Sequence, residues 1–571
     1  MQHLSPVAVL ASILTFLALE LSSQAEEVSI DVAVFPDFPR IPVTGVPFLN
    51  ESIPEAVAPE QGLSIEPEKP FEWSRISSGT TPFPITVRIA KEPFDRGVLT
   101  LWNWHNHPIG QWKLESGGSH RFRFNVSGNG VYLLTLDGYR GDQCVRRLVR
   151  SFAVTPDLNR ARETWKREEF FLGICGFPGR YHWSYQGTPT LPAGIEEQEA
   201  RDLEASLMAR LGFQVMRTDE SMEMGDRTAP DQPYRFDFRR MDAVVEAYTS
   251  RGFSLALQLM NAADWAIAPA YAEVTQPSWR FPRREEPQRA YVRALVERYG
   301  KKARLVQVFN EPDQVDFWSG EPAEFVRHYE FSKEEVREVL PDIPVISGGY
   351  SLVDPERTEF FVKTLKGKID FPAYHSHGLL KDLIEDHETI QRMHREAGYD
   401  SPRYLNTEMG FDGWRLDQER RKGEIVPQKA LYCWASGHAG VLLFGSRMTL
   451  GPNRVSQDFG FLDHWFCPRF VYGSMTAMVS TLEGASFEKA LQNHDGIYAY
   501  AFRRGGERIV AAFTTNEEAK VRFETNDRSV VLIDPMGNSR AALSEGGVTL
   551  TLDGYPRYLI SSGDVALLNK K

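Results

Sequence analysis

The spacing of apolar residues changes twice along this chain. Between about 83 and 154, short runs alternate apolar with polar positions, as in Ile85-Thr-Val-Arg-Ile, Phe122-Arg-Phe-Asn-Val and Val131-Tyr-Leu-Leu-Thr-Leu, and Gly-rich turns separate them. Successive side chains on a strand point to opposite faces, so a period of two predicts half-buried antiparallel strands and an N-terminal β-sandwich domain over 76–160. Beyond the charged stretch Asn159–Glu169, apolar runs of strand length take turns with segments whose apolar residues recur every three or four positions. The runs are Phe170–Gly176, Gln214–Thr218, Ser254–Met260, Leu305–Phe309, Val345–Gly348, Phe371–Tyr374, Arg403–Thr407 and Gly440–Phe444. Between them, sets such as Leu203, Leu207 and Leu211, or Met241, Val244, Val245 and Tyr248, place one buried stripe on a helix. Eight such strand and helix units predict a (β/α)8 barrel, a TIM barrel, over 165–482. An open doubly wound sheet is the alternative, but Gly173, Gly176 and Gly179 are spaced three apart and do not form the phosphate loop such a sheet carries.

From about 484 the period of two returns, in Ile497-Tyr-Ala-Tyr-Ala-Phe, Ile509-Val-Ala-Ala-Phe and Val548-Thr-Leu-Thr-Leu, and predicts a C-terminal β-sandwich domain over 483–571. Residues 26–75 are rich in Pro and acidic side chains without a sustained period, so an irregular or linker segment is expected. The first residues carry the apolar run Val7–Leu19 followed by Ser23-Gln24-Ala25. That pattern predicts a signal peptide over 1–25 with cleavage after Ala25, hence a secreted or periplasmic protein. An uncleaved anchor is the competing reading, for which the run is short against the ~20 residues of a spanning helix.

Composition narrows the classes. A chain of 571 residues exceeds the ~250–300 at which a single core stops growing, so it is multidomain. With 42% hydrophobic and 25% charged residues it is globular, and a net charge of −12 leaves no broad basic surface for nucleic acid or, once the signal is removed, for anionic membrane. Cys144, Cys175, Cys433 and Cys467 lie far apart with no C-x-x-C pair, which argues against a zinc ribbon. One bridge, such as Cys433 to Cys467, is compatible with an oxidising compartment.

The chemistry of a barrel sits at the carboxyl ends of its strands. Two glutamates stand there: Glu311 in Leu305-Val-Gln-Val-Phe-Asn-Glu-Pro, after the fourth run, and Glu408 in Tyr404-Leu-Asn-Thr-Glu-Met-Gly, after the seventh. With Asn310 in front of Glu311, this placement resembles the large clan of retaining glycoside hydrolases with (β/α)8 barrels, in which Asn-Glu closes strand four and a second Glu closes strand seven. The resemblance spans the barrel, and β-xylosidases and iduronidase-like enzymes are the kinds of member it suggests. It implies a carbohydrate substrate, no cofactor, Glu311 as acid/base and Glu408 as nucleophile. Arg217, ending the second run, falls where the clan keeps an arginine beside the nucleophile, and Asn310 is expected to donate to the sugar hydroxyl next to the anomeric carbon.

The sixth strand departs from the clan pattern. Phe371-Pro-Ala-Tyr-His-Ser-His-Gly puts His377 where parts of the clan have a Tyr that touches the nucleophile, with His375 two positions before it. The two histidines share one strand face, so a metal-dependent hydrolase using them is a competing reading. The eighth run ends in Phe444 where many relatives have a stacking Trp, so the sugar platform is expected from Trp265, Trp318 or Trp414, each just past a strand end, with ordinary loop packing as the alternative. Asn261 and Asp264 are polar candidates for substrate hydroxyls. Arg180 or His182 could join the cleft, or Tyr181 and Trp183 could simply anchor that loop. A third reading of the whole chain is a carbohydrate-binding protein whose barrel has lost activity.

Overall fold

Alternating side chains build the first unit of the chain, which ends at Thr155, while a second unit begins at Pro156. In the computed structural model, residues 25–30, 62–105, 107–158, 169–181, 184–185, 188–189, 191–218, 235–273, 280–413, 416–447 and 458–568 are described. The expected signal segment, up to residue 24, lies outside them.

The first unit has a four-stranded sheet in the order 26–30, 118–126, 81–89, 63–67 and a five-stranded sheet in the order 74–76, 143–155, 130–140, 96–102, 108–115. Apolar positions of both, including Phe83, Phe124, Leu101, Leu134 and Phe152, are fully buried, as a sandwich core requires. The expectation of an irregular segment over 26–75 needs correcting at three places. Glu26–Ile30 pairs in parallel with Phe122–Val126, Leu63–Pro67 pairs with Ile85–Ile89, and Ser74–Ile76 pairs with Ala153–Thr155. These strands are three to five residues long, too short to show a period beside their prolines.

The second unit contains the barrel. Its strands are β1 (Phe171–Cys175), β2 (Val215–Arg217), β3 (Ser254–Leu259), β4 (Ala303–Val308), β5 (Val345–Ser347), β6 (Ala373–Ser376), β7 (Leu405–Met409) and β8 (Gly440–Phe444). All pair in parallel, in the spatial order β5-β4-β3-β2-β1-β8-β7-β6. The ring closes between β5 and β6 through Tyr350, whose N–H donates to Ala373 O at 3.1 Å and whose carbonyl accepts from His375 N at 2.8 Å. Among the described residues, eight α-helices alternate with the strands: α1 (Glu197–Arg210), α2 (Arg239–Thr249), α3 (Glu285–Tyr299), α4 (Pro322–Val339), α5 (Pro355–Thr364), α6 (Leu380–Glu396), α7 (Leu416–Ala435) and α8 (Phe470–Leu482).

Phe171, Val215, Ala256, Leu305, Ile346, Ala373, Leu405 and Leu442 form one buried cluster, contributed by all eight strands, so the barrel is a packed core with its chemistry at one end. Strand β6 starts two residues later than expected because Pro372 has no N–H to give to the ladder. The barrel is backed by a six-stranded sheet ordered 486–494, 497–504, 507–514, 557–561, 529–533, 539–543 and a three-stranded sheet ordered 548–552, 519–525, 565–568. Helix α7 reaches these sheets through Gln428, which donates to Gly554 O at 2.6 Å, and Arg420, whose guanidinium pairs with Asp553. The expected Cys433 to Cys467 bridge does not form: all four cysteines are free. Cys433 sits within α7, whereas Cys467 lies in a turn closed by Asp463.

Candidate active site

Strand β4 stops at Val308, and the next residues turn sharply: Phe309 and Glu311 have φ of 70° and 42°, a left-handed conformation that non-glycine residues adopt only when their surroundings impose it. The surroundings do impose it. Phe309 N donates to Leu259 O at 2.7 Å, and Phe309 O accepts from Gln307 Nε2 at 3.0 Å and Gln258 Nε2 at 3.2 Å. The Phe309 ring packs against Trp318, Phe325 and His328. Two residues past Glu311, Asp313 accepts from Ser351 N and Oγ, Leu352 N and Thr358 Oγ1, which ties the turn to the loop after β5. The Glu311 carboxyl is thus held over the barrel mouth, 7% exposed, and Oε2 accepts from Gln314 Nε2 at 2.7 Å.

Glu408 arrives by a different device. The ladder pairs Tyr374 with Asn406 but His375 with Glu408, so Thr407 is an extra residue and β7 is bulged there. Without the bulge, Thr407 and Glu408 would point to opposite faces; with it, both serve the mouth. Thr407 Oγ1 contacts His375 Nε2 at 3.1 Å, and Glu408 Oε1 accepts from Arg217 Nη2 at 2.5 Å. His375 Nδ1 stands 2.6 Å from Glu311 Oε1 and 3.6 Å from Glu408 Oε2, so this imidazole lies between the two carboxyl groups. Gly349 makes room for it: a Cβ there would collide with His375 Nε2 and Thr407 Oγ1. His377 Nε2 approaches Glu408 Oε2 to 3.5 Å from the other side, its ring between those of Phe459 and Phe444.

The electrostatics of the two glutamates differ. Burial by itself raises the Glu408 carboxyl, but interaction with His375, with Arg217 and with His377 outweighs it and holds the group well below the usual carboxylate range. No arginine or lysine pairs with Glu311 among the described residues. Asn310 Oδ1 accepts from both Arg217 Nη1 and Gln258 Nε2, each at 3.3 Å, which fixes the amide so that its nitrogen remains as a donor.

The sequence-predicted residues therefore divide. Glu311, Glu408, Asn310, Arg217, His375 and His377 converge. Trp318 does not join them: its side chain is fully buried among Phe309, Phe325 and His328, and Nε1 donates to Glu321 O, so it is a core residue beneath the Glu311 turn and not a sugar platform. Asn261 is buried and donates to Phe281 O at 3.0 Å, bracing the loop after β3. Trp265 is half-buried with the Arg284 guanidinium over its ring, and Asp264 pairs with Arg283. Tyr181 anchors its loop, as its hydroxyl donates to the buried Glu204. Trp414, His182, Trp183 and the Arg180 side chain lie outside the described residues. Gln258, Gln314, Thr407 and Gly349 were not singled out by the sequence. Of these only Gln258 carried a signal, as a polar residue inside an apolar strand.

One ligating atom each from Glu311, His375 and Glu408 lies within 4.8 Å of the other two, so this group could hold a cation. It is not the His375 and His377 pair that the metal reading invoked. A cation there would also face the Arg217 guanidinium on Glu408.

No family model and no curated protein matches the chain. In three dimensions it is similar to a family 39 glycoside hydrolase from the gut symbiont Bacteroides cellulosilyticus, with a TM-score of 0.62 and 18% identity over 87% of this chain and 100% of that one. It is also similar to a glucosidase from Croceicoccus marinus, with a TM-score of 0.48 and 14% identity over 70% and 97% of the two chains. A monomeric β-xylosidase from Caulobacter crescentus gives a TM-score of 0.45 and 13% identity over 71% and 97%. The first likeness shows the fold, a (β/α)8 barrel accompanied by all-β domains.

Proposed function

We propose that this protein is a retaining glycosidase in which Glu408 attacks the anomeric carbon and Glu311 protonates the departing oxygen. The observation that carries the reading is the approach of the two carboxyl groups to within 4.8 Å with different partners. Retention by double displacement needs carboxyl groups ~5 to 5.5 Å apart, while inversion needs ~6.5 to 9.5 Å to seat a water. The Arg217 guanidinium, hydrogen-bonded to Oε1, keeps Glu408 ionised and ready to form the glycosyl-enzyme bond. Glu311, with no arginine or lysine partner among the described residues, donates a proton to the leaving group, and after that group departs it takes a proton from the water that hydrolyses the intermediate.

The contacts of His375 suit both halves of this cycle. With Glu311 protonated, Nδ1 accepts its O–H and Nε2–H donates to Thr407; with Glu311 ionised, Nδ1–H donates and Nε2 accepts the Thr407 hydroxyl. The Asn310 amide nitrogen is the donor for the hydroxyl adjacent to the anomeric centre, a hydrogen bond that strengthens as positive charge develops on the sugar. We further propose export of the protein, supported by the apolar run Val7–Leu19 and the small residues before Ala25.

A panel of aryl glycosides, followed by NMR of the first-formed anomer, tests the reading. Retained configuration is expected, with Glu408→Gln folded and inactive and azide restoring turnover to Glu408→Ala as the glycosyl azide of opposite configuration. Inverted product, or near-native turnover by Glu408→Gln, overturns the assignment.

A further inference from the structure

Helix α7 carries two lysines, Lys422 and Lys429, whose side chains are completely buried. They are seven positions apart, so they fall on one face, two turns apart. A buried ammonium is costly unless every N–H finds an acceptor. Lys429 has no ion-pair partner among the described residues; its three donors go to Ser376 O at 2.9 Å, Gly410 O at 3.0 Å and Gly378 O at 3.2 Å. Those acceptors are not arbitrary. Ser376 and Gly378 flank His377, and Gly410 lies two residues past Glu408. A Cβ on Gly410 would stand 3.4 Å from His377 Nδ1 and 2.6 Å from Phe444 O, so the same segments are in close contact at the mouth.

We infer that Lys429 is a positioning residue: by binding the carbonyls on both sides of His377 and the one just past Glu408, its ammonium holds the His377 imidazole against the nucleophile. Lys422 does a parallel task one loop away, donating to Gly413 O and Asp458 O, and it has Asp458 as an ion-pair partner. Lys429 depends on its carbonyls alone. A neutral amine has two N–H groups and a lone pair, so deprotonation leaves one of the three carbonyls without a donor and facing that lone pair. Burial pushes Lys429 down to about 8, against the pull of Cys433 on its own helix and of Asp386 and Asp382 on α6. The catalytic meaning of this inference rests on the glycosidase reading, and the experiment separates the two.

The full-length protein with 15N-labelled histidine, His377 being identified by difference from His377→Asn, is followed by NMR between about pH 6.5 and 9.5. In the wild type the His377 nitrogens should shift in step with Lys429 deprotonation, at about pH 8 in the middle of that range. The step should be absent in Lys429→Arg, whose guanidinium stays charged. In Lys429→Met the signals should be displaced already at neutral pH, and kcat on an aryl glycoside should fall about ten-fold or more with KM held within about two-fold. A folded Lys429→Met with native His377 signals and native kcat overturns the inference. If Lys429→Met does not fold, Lys429→Arg decides, and a pH step identical to the wild type overturns it. A wild type that shows the His377 step yet cleaves no glycoside removes the glycosidase reading and leaves the positioning role standing.

Discussion

Arg217 at the end of β2 donates Nη2 to Oε1 of Glu408 on β7, 2.5 Å away, while its Nη1 holds Asn310 Oδ1 at 3.3 Å. One guanidinium thus orients a residue on each side of the cleft. Because the Glu408 carboxyl is lowered in the folded protein, the unfolded chain binds more protons at this position. Its contribution to stability is therefore complete above the ordinary carboxylate range and is lost as pH falls through that range towards the folded value. The acid limb of kcat/KM should lie below the usual ~4.3 of a glutamate. Arg217→Met should raise it, and Arg217→Lys should raise it less. An acid limb at the same pH in all three would refute the assigned role of Arg217.

Glu311→Ala should separate substrates by leaving group. A poor, alkyl leaving group needs the proton and should lose about 10²- to 10⁴-fold in kcat/KM, while a nitrophenyl leaving group should lose far less in the glycosylation step. Stopped-flow measurement of the first turnover checks this, and equal losses would count against proton donation.

Gly349→Ala should slow catalysis and lower stability together. The new methyl must displace His375 or Thr407, a strain of roughly 1–3 kcal/mol. A shift of about 1 Å at the reacting groups costs about 10²-fold in rate. Thermal unfolding and kcat measured side by side give the ratio, and full activity would mean that His375 tolerates displacement.

Trp318→Ala should do the reverse of what a sugar platform predicts. Its ring is buried under the Glu311 turn, so removal should cost about 3–5 kcal/mol of stability. In the population that remains folded, KM should stay near the native value. A raised KM at unchanged stability would restore Trp318 as a binding surface.

The eight strands were legible because a barrel buries both faces of each strand, which leaves largely apolar runs such as Gly440–Phe444 between helical segments. Glu311 and Glu408 stood out for the same reason, as charges at the end of such runs. The bulge at Thr407 was not legible, since it exists only in the pairing of β7 with β6. Trp318 misled because an aromatic just past a strand end is written the same way whether it faces sugar or folds back under the helix that Pro322 begins. Lys429 was invisible because a lysine on a helix normally implies a solvated face; only the carbonyls converging from two other loops make its burial tolerable. The strands at 26–30 and 63–67 were lost among prolines for want of length.

Seven of the eight strand neighbours in the barrel share a ladder of paired residues, whereas β5 and β6 are joined at the single residue Tyr350. A ring stitched this way breathes first at its one weak seam. Since Tyr350 O holds the amide of His375, each such opening also withdraws the imidazole from Glu311. Amide hydrogens at Tyr350 and His375 therefore exchange with solvent ahead of those in β1 and β8, and ligand that bridges the seam slows them.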